Sequence, residues 1–95
     1  MVALLTLELR IEGAHSLKDK RQVLRSLKDR LRSQFNVAVA ELDHTDLWQR
    51  ATLGVVSISD SRDCLDGLIH NVERQSLRIA NNAGAEVADS FLEYL

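Results

Sequence analysis

The stretch that decides the fold begins Leu5-Thr6-Leu7-Glu8-Leu9-Arg10-Ile11. After Glu12-Gly13-Ala14-His15 it continues Ser16-Leu17-Lys18-Asp19-Lys20-Arg21-Gln22-Val23-Leu24. In the first part apolar residues fall on every second position, the period of a strand with one buried face. Glu12 to His15 makes a turn. Ser16 then suits a helix N-cap, with Asp19 three residues on in the capping-box place. From there Leu17, Leu24, Leu27 and Leu31 recur at three- and four-residue steps, which predicts an amphipathic helix to about Gln34. A strand period giving way to a helix period across one short turn is the start of a β-α-β unit.

Working outward, Asn36 to Leu42 reads as a short apolar strand and Asp43 to Gln49 as a loop. Ala51 to Ser59 is again β-rich, through Leu53, Val55, Val56 and Ile58. Asp60 or Ser61 caps a second helix, in which Leu65, Leu68, Ile69 and Val72 repeat at helical spacing. Asn81, Asn82 and Gly84 are expected to break it before a last strand from Ala85 to Leu95. The order β-α-β-β-α-β predicts a ferredoxin-like α+β domain spanning 1–95. Its four strands form an antiparallel sheet with both helices on one face. The second and third strands are apolar on both faces, whereas a sheet face that meets water alternates more cleanly. Something should therefore cover the far face, and the expected cover is a second copy in a homodimer.

Composition fits one ordinary globular unit: 95 residues, 45% hydrophobic and 27% charged, with no proline. No segment approaches the roughly 18 apolar residues of a membrane span, and the alternating, charged N-terminus does not read as a signal peptide. The single cysteine, Cys64, excludes an internal disulfide and fits a reducing, cytoplasmic setting. At the start of the second helix Cys64 is expected to serve as a small packing residue.

The net charge of −2 conceals an asymmetry. Between Leu17 and Gln34 seven cations stand against Asp19 and Asp29, a local charge of +5, so the remainder sums to −7. At about 100° per residue, Lys18, Arg21, Arg25, Lys28 and Arg32 fall within a sector of roughly 80°, beside the sector of Leu24, Leu27 and Leu31. Lys18, Lys20 and Arg21 also lie in the first turns, where the helix dipole disfavours cations. A stripe of this kind suits a phosphate backbone. The simpler reading is a solvated helix face. Trp48 and Arg50, in the loop after Asp43, offer a further contact by stacking and phosphate pairing. The alternative there is that Leu47 and Trp48 fold back to plug the end of the core or pack on a partner subunit, and this alternative is the expectation adopted.

Catalytic chemistry finds no foothold. His15, His44 and His70 have no paired spacing for a metal. Cys64 and His70 lie about 240° apart around one helix, so they cannot act as nucleophile and base within it. Gly13, Gly54, Gly67 and Gly84 form neither a phosphate loop nor a dinucleotide fingerprint. No metal or cofactor is expected. The RNA-recognition-motif variant of the fold stacks bases on aromatics of its central strands, and the first and third strands here carry none.

Three segments in order carry a resemblance: His15-Ser16-Leu17-Lys18-Asp19-Lys20-Arg21, Phe35-Asn36-Val37-Ala38-Val39-Ala40-Glu41 and Asp46-Leu47-Trp48-Gln49-Arg50-Ala51. They resemble the YlxP-like family of small bacterial proteins over essentially the whole chain. Ala38 stands where that family's pattern has serine. The resemblance implies a ferredoxin-like fold and a gene neighbourhood of transcription-elongation, translation-initiation and ribosome-maturation factors. It brings no established activity and no catalytic residue. The leading expectation is thus a non-catalytic, cytoplasmic RNA- or ribosome-associated module working through its basic helix. Its rivals are an assembly module working through the sheet face, and a small-molecule regulator or enzyme using the Asp43–Arg50 loop.

Overall fold

A computed structural model describes residues 1–95. The chain runs β1 (Val2–Arg10), α1 (Leu17–Gln34), β2 (Ala38–Asp43), β3 (Arg50–Ile58), α2 (Arg62–Ala83) and β4 (Glu86–Tyr94). The strands form one antiparallel sheet in the order β2-β3-β1-β4. This is the ferredoxin-like arrangement that the period changes predict.

Each element follows from its residues. In β1 the odd positions Ala3, Leu5, Leu7 and Leu9 are buried, and Val2, Leu4, Thr6 and Glu8 lie half-buried on the opposite face. The Ser16 hydroxyl accepts the Asp19 N–H at 3.1 Å and starts α1. The Asp19 carboxylate returns to the N–H of His15 at 3.0 Å, one residue earlier than in the standard capping box. Ser61 caps α2 in the same manner through the Cys64 N–H. That helix continues through Asn81 and Asn82, which the sequence reading had as breakers. It stops at Gly84, whose φ of 93° is left-handed and whose N–H closes onto the Ala80 and Asn81 carbonyls. A residue without Cβ ends the helix; the two amides are accommodated in its last turn because they are exposed.

The core forms between the helices and one sheet face. Leu24, Leu27 and Leu31 from α1, and Leu65, Ile69, Val72 and Ile79 from α2, meet Leu5, Leu7, Leu53 and Val55. At the end of the core beneath the N-terminus of α1, Ile11 and Ala14 of the β1–α1 connection are themselves buried. Cys64 does not take the packing place expected of it. It is exposed, because the buried face of α2 starts at Leu65 and position 64 points about 100° away from it. Neither helix is long and apolar enough to cross a membrane.

Candidate functional site

The cations of α1 do not share one environment. Arg21, Arg25, Lys28 and Arg32 line a shallow groove of ≈ 480 Å³, together with Leu24, Asp29 and Glu41. The groove runs between α1 and β2, the outermost strand on that side of the sheet. Arg21, Arg25 and Lys28 make no ion pair. Arg32 is partly committed: its guanidinium donates to the Val39 carbonyl of β2 at 3.0 Å and stands 3.8 Å from Asp29. Lys18, the fifth member of the predicted stripe, is exposed at the start of α1 and lies outside the groove.

Lys20, counted among the first-turn cations, proves to be a core residue. It is only 1% exposed. Its ammonium lies 2.9 Å from Glu41 Oε2 and donates to the His44 carbonyl. Glu41 Oε2 has no aligned hydrogen bond, so the contact is ionic. Burying a lysine this deeply demands such compensation, since an uncompensated buried charge is strongly unfavourable. The signal was in the spacing. Position 20 falls at about 200° on the helical wheel, between Leu27 and Leu31, so it completes the leucine seam instead of joining the stripe. Glu41 is its counterpart, a carboxylate on the helix-facing side of β2 after the apolar run Ala38–Ala40, opposite Leu53 in the register.

The Lys20 bond also shapes the loop. His44 adopts a left-handed φ of 61°, uncommon outside glycine, and its carbonyl accepts from both Lys20 Nζ and the Leu47 N–H. At the far end of the loop the Gln49 side chain donates to the carbonyls of Glu12 and Ala14, and the Ile11 N–H donates to the Gln49 carbonyl. The loop is therefore stitched to the start of α1 at both ends. Its tip is not: Trp48 is 52% exposed and Leu47 is exposed beside it. This corrects the expectation that they plug the core. Ile11 and Ala14 are the buried apolar residues at that end, with the Ile11 N–H donating to the Gln49 carbonyl. Trp48 and Arg50 share an open depression of ≈ 430 Å³ with Asp46, apart from the groove residues.

A second polar cluster joins α2 to β4. The Tyr94 hydroxyl donates to Asp66, Arg62 donates to the same oxygen at 3.2 Å, and the Arg62 guanidinium sits 3.6 Å above the Tyr94 ring. The tyrosine hydrogen bond, reinforced by Arg62, holds the Asp66 carboxyl below the usual carboxylate range, and the same bond pushes the Tyr94 phenol up. Nowhere do three His, Cys, Asp or Glu side chains gather as metal ligands would.

Known proteins bear on the chain in three ways. The family model described as "Protein of unknown function (DUF503)" matches residues 2–91. The uncharacterized protein YlxP of Bacillus subtilis (strain 168) is 39% identical over 62 residues, which cover 65% of this chain and 67% of that one. Among solved structures, protein YJCS superposes over the whole of this chain and 99% of its own, with a TM-score of 0.56 at 11% identity. A C-terminal segment of the alpha subunit of aIF2 from Pyrococcus abyssi superposes with a TM-score of 0.53 at 14% identity. All of this chain but only half of that segment is covered. At such identities the two structures speak to the fold alone. The family match over nearly the full length and the relative at 39% identity agree, and the chain belongs to the YlxP-like DUF503 family of unknown function.

Proposed function

We propose that this protein is a non-catalytic, cytoplasmic RNA-binding module, associating with ribosomal or other RNA through the groove between α1 and β2. The observation that carries the reading is the convergence of Arg21, Arg25, Lys28 and Arg32 on one groove, the first three without an ion-pair partner. Of the two carboxylates lining it, Glu41 is neutralised by Lys20. Three uncompensated cations along consecutive turns of one helix match the spacing of a polyanion better than a compact ligand. The gene neighbourhood implied by the family resemblance points the same way.

The test is salt-dependent filter binding to single-stranded RNA and to ribosomal subunits. Four phosphate contacts on a single strand imply a log–log slope of about −2.8, and so a loss of roughly 50-fold between about 50 and 200 mM salt. Replacing Arg25 and Lys28 together by alanine removes two of the four. The slope should fall to about −1.4 and the loss to roughly sevenfold, about equally for all RNA sequences. Both positions lie outside the buried leucine seam, so the fold should persist. Absence of affinity for RNA or ribosomal subunits in the parent protein at low salt refutes the reading.

A further inference from the structure

We propose that the sheet face not covered by helices is the interface of a two-fold homodimer, whose axis runs parallel to the strands between β3 and β1. The strand register supplies the argument. Ala40 pairs with Gly54, Gly54 with Thr6, and Thr6 with Phe91, so these four residues form one row across the sheet. The row is small at the β2 end and large at the β4 end, where Phe91 is 53% exposed. A two-fold along the midline brings each β4 over the partner's β2. Phe91 of one copy then stands over the partner's Ala40, and the Leu42 side chain that covers Gly54 stands over the partner's Thr6.

The neighbouring rows bring apolar side chains together at the middle of the sheet, and one of them ends in Glu93 over the partner's Ala38. Leu4 pairs with Val56, and Val2 with Ile58, so the midline two-fold sets Val56 against the partner's Leu4 and Ile58 against the partner's Val2. Leu42 lies over Gly54, where a Cβ would come within 2.8 Å of it, and gives the β2 side its relief. Bulk therefore meets small residues at the margins, and branched apolar side chains meet one another beside the axis, a self-complementary arrangement of the kind an isologous contact needs.

Size selects the occupant. Three strands of nine residues and the six of β2, about 4.8 Å apart, present a face of roughly 540 Å², below the ~800 Å² per partner of a standard interface but about 1,100 Å² for the pair, just above the ~1,000 Å² that a biological interface needs. A helix, about 10–12 Å across, would leave nearly half of that width wet. A sheet of equal width covers all of it, and stacked sheets pack face to face at about 10 Å. The charged residues of this face are Arg50, Arg10 and Glu86, which share one row, Glu8 and Asp89, which are register partners, and Glu93 at the β4 margin. The two-fold sets Arg10 near the partner's Arg50, and the two cations and four carboxylates leave each face with a net charge of −2, so added salt should screen the repulsion between copies and leave the dimer intact or tighter. That separates it from groove binding, which salt weakens steeply, and either reading can fail alone.

The experiment is sedimentation equilibrium on the intact chain, from micromolar concentration upward. The expected mass is twice the 10.7 kDa of the chain. Because Phe91 and Ala40 are both exposed in the single copy, substitutions there spare the core. Phe91→Ala leaves a hollow in the interface and Ala40→Phe sets two phenyl rings against each other; each should raise the dimer dissociation constant at least about tenfold. The two changes together exchange the large and small partners and should restore dimerisation to within about threefold of the parent. A parent that stays monomeric overturns the dimer. A double variant no better than the worse single variant overturns the two-fold.

Discussion

Replacing Lys20 by methionine keeps the length and apolar body of the side chain and removes only its charge and donors. In the folded protein the ammonium is 1% exposed, paired with Glu41 and bonded to the His44 carbonyl. Breaking a fully buried pair from one side typically destabilises by about 3–5 kcal/mol. Glu41 keeps 23% of its side-chain exposure, so water recovers part of that loss and the expected effect is nearer 2–3 kcal/mol by the same reasoning. For a domain of this size each 1 kcal/mol moves the melting temperature by about 4–8 °C, which gives a fall of roughly 10–20 °C. Urea denaturation at neutral pH, with Lys20→Met, Glu41→Leu and the double variant, measures the coupling directly. The double variant should recover most of the loss, since two apolar residues can replace a buried pair at little net cost. If Lys20→Met changes stability by less than about 0.5 kcal/mol, the side chain is solvated in solution and the account of it as a core residue is wrong.

The indole of Trp48 should be dispensable for folding: Trp48→Ala is expected to change stability by less than about 1 kcal/mol, and the native emission should be red-shifted and readily quenched by acrylamide, with a blue-shifted, protected spectrum as the contrary result. At the α2–β4 cluster the Asp66 carboxyl titrates lower in the folded than in the unfolded chain, so its contribution is present above the ordinary carboxylate range and is lost as pH falls through the folded value. The Tyr94 phenol is raised, so its contribution holds below the ordinary phenol range and is lost as pH rises through the folded value. Tyr94→Phe should flatten both limbs of a stability–pH profile measured by denaturant melts; unchanged limbs would show that the bond does not persist in solution.

How much of this was legible beforehand depended on whether the signal was local. Period 2 in β1 and the leucine steps of α1 are properties of adjacent residues, and with them came the element order and the sheet. The cationic stripe was equally readable, since a helical wheel fixes its sector. What connects elements was not. Lys20 looked like surface because lysine usually is, although its angular place between Leu27 and Leu31 argued otherwise; only the arrival of Glu41 and the His44 carbonyl from other elements makes its burial tolerable. The expectation that Trp48 plugs the core failed for the converse reason. An apolar residue seeks cover, yet the buried residues at that end are Ile11 and Ala14, distant in the chain, while Trp48 stays exposed. Cys64 failed by one position on α2, a difference that composition does not register.

Arg32 has a consequence outside the groove. The sheet ends at β2, and an outermost strand exposes backbone groups on which another chain can build, a standing route to aggregation. By holding the Val39 carbonyl, the Arg32 guanidinium occupies one such group and sets a charged, hydrated head against the flank of a strand rich in alanine and valine. On the opposite margin β4 bears Glu86, Asp89 and Glu93, all exposed. Two β4 margins would set carboxylate against carboxylate, and two β2 margins would each have to displace an Arg32 guanidinium. A ribbon built by joining copies edge to like edge is thereby discouraged at both kinds of joint.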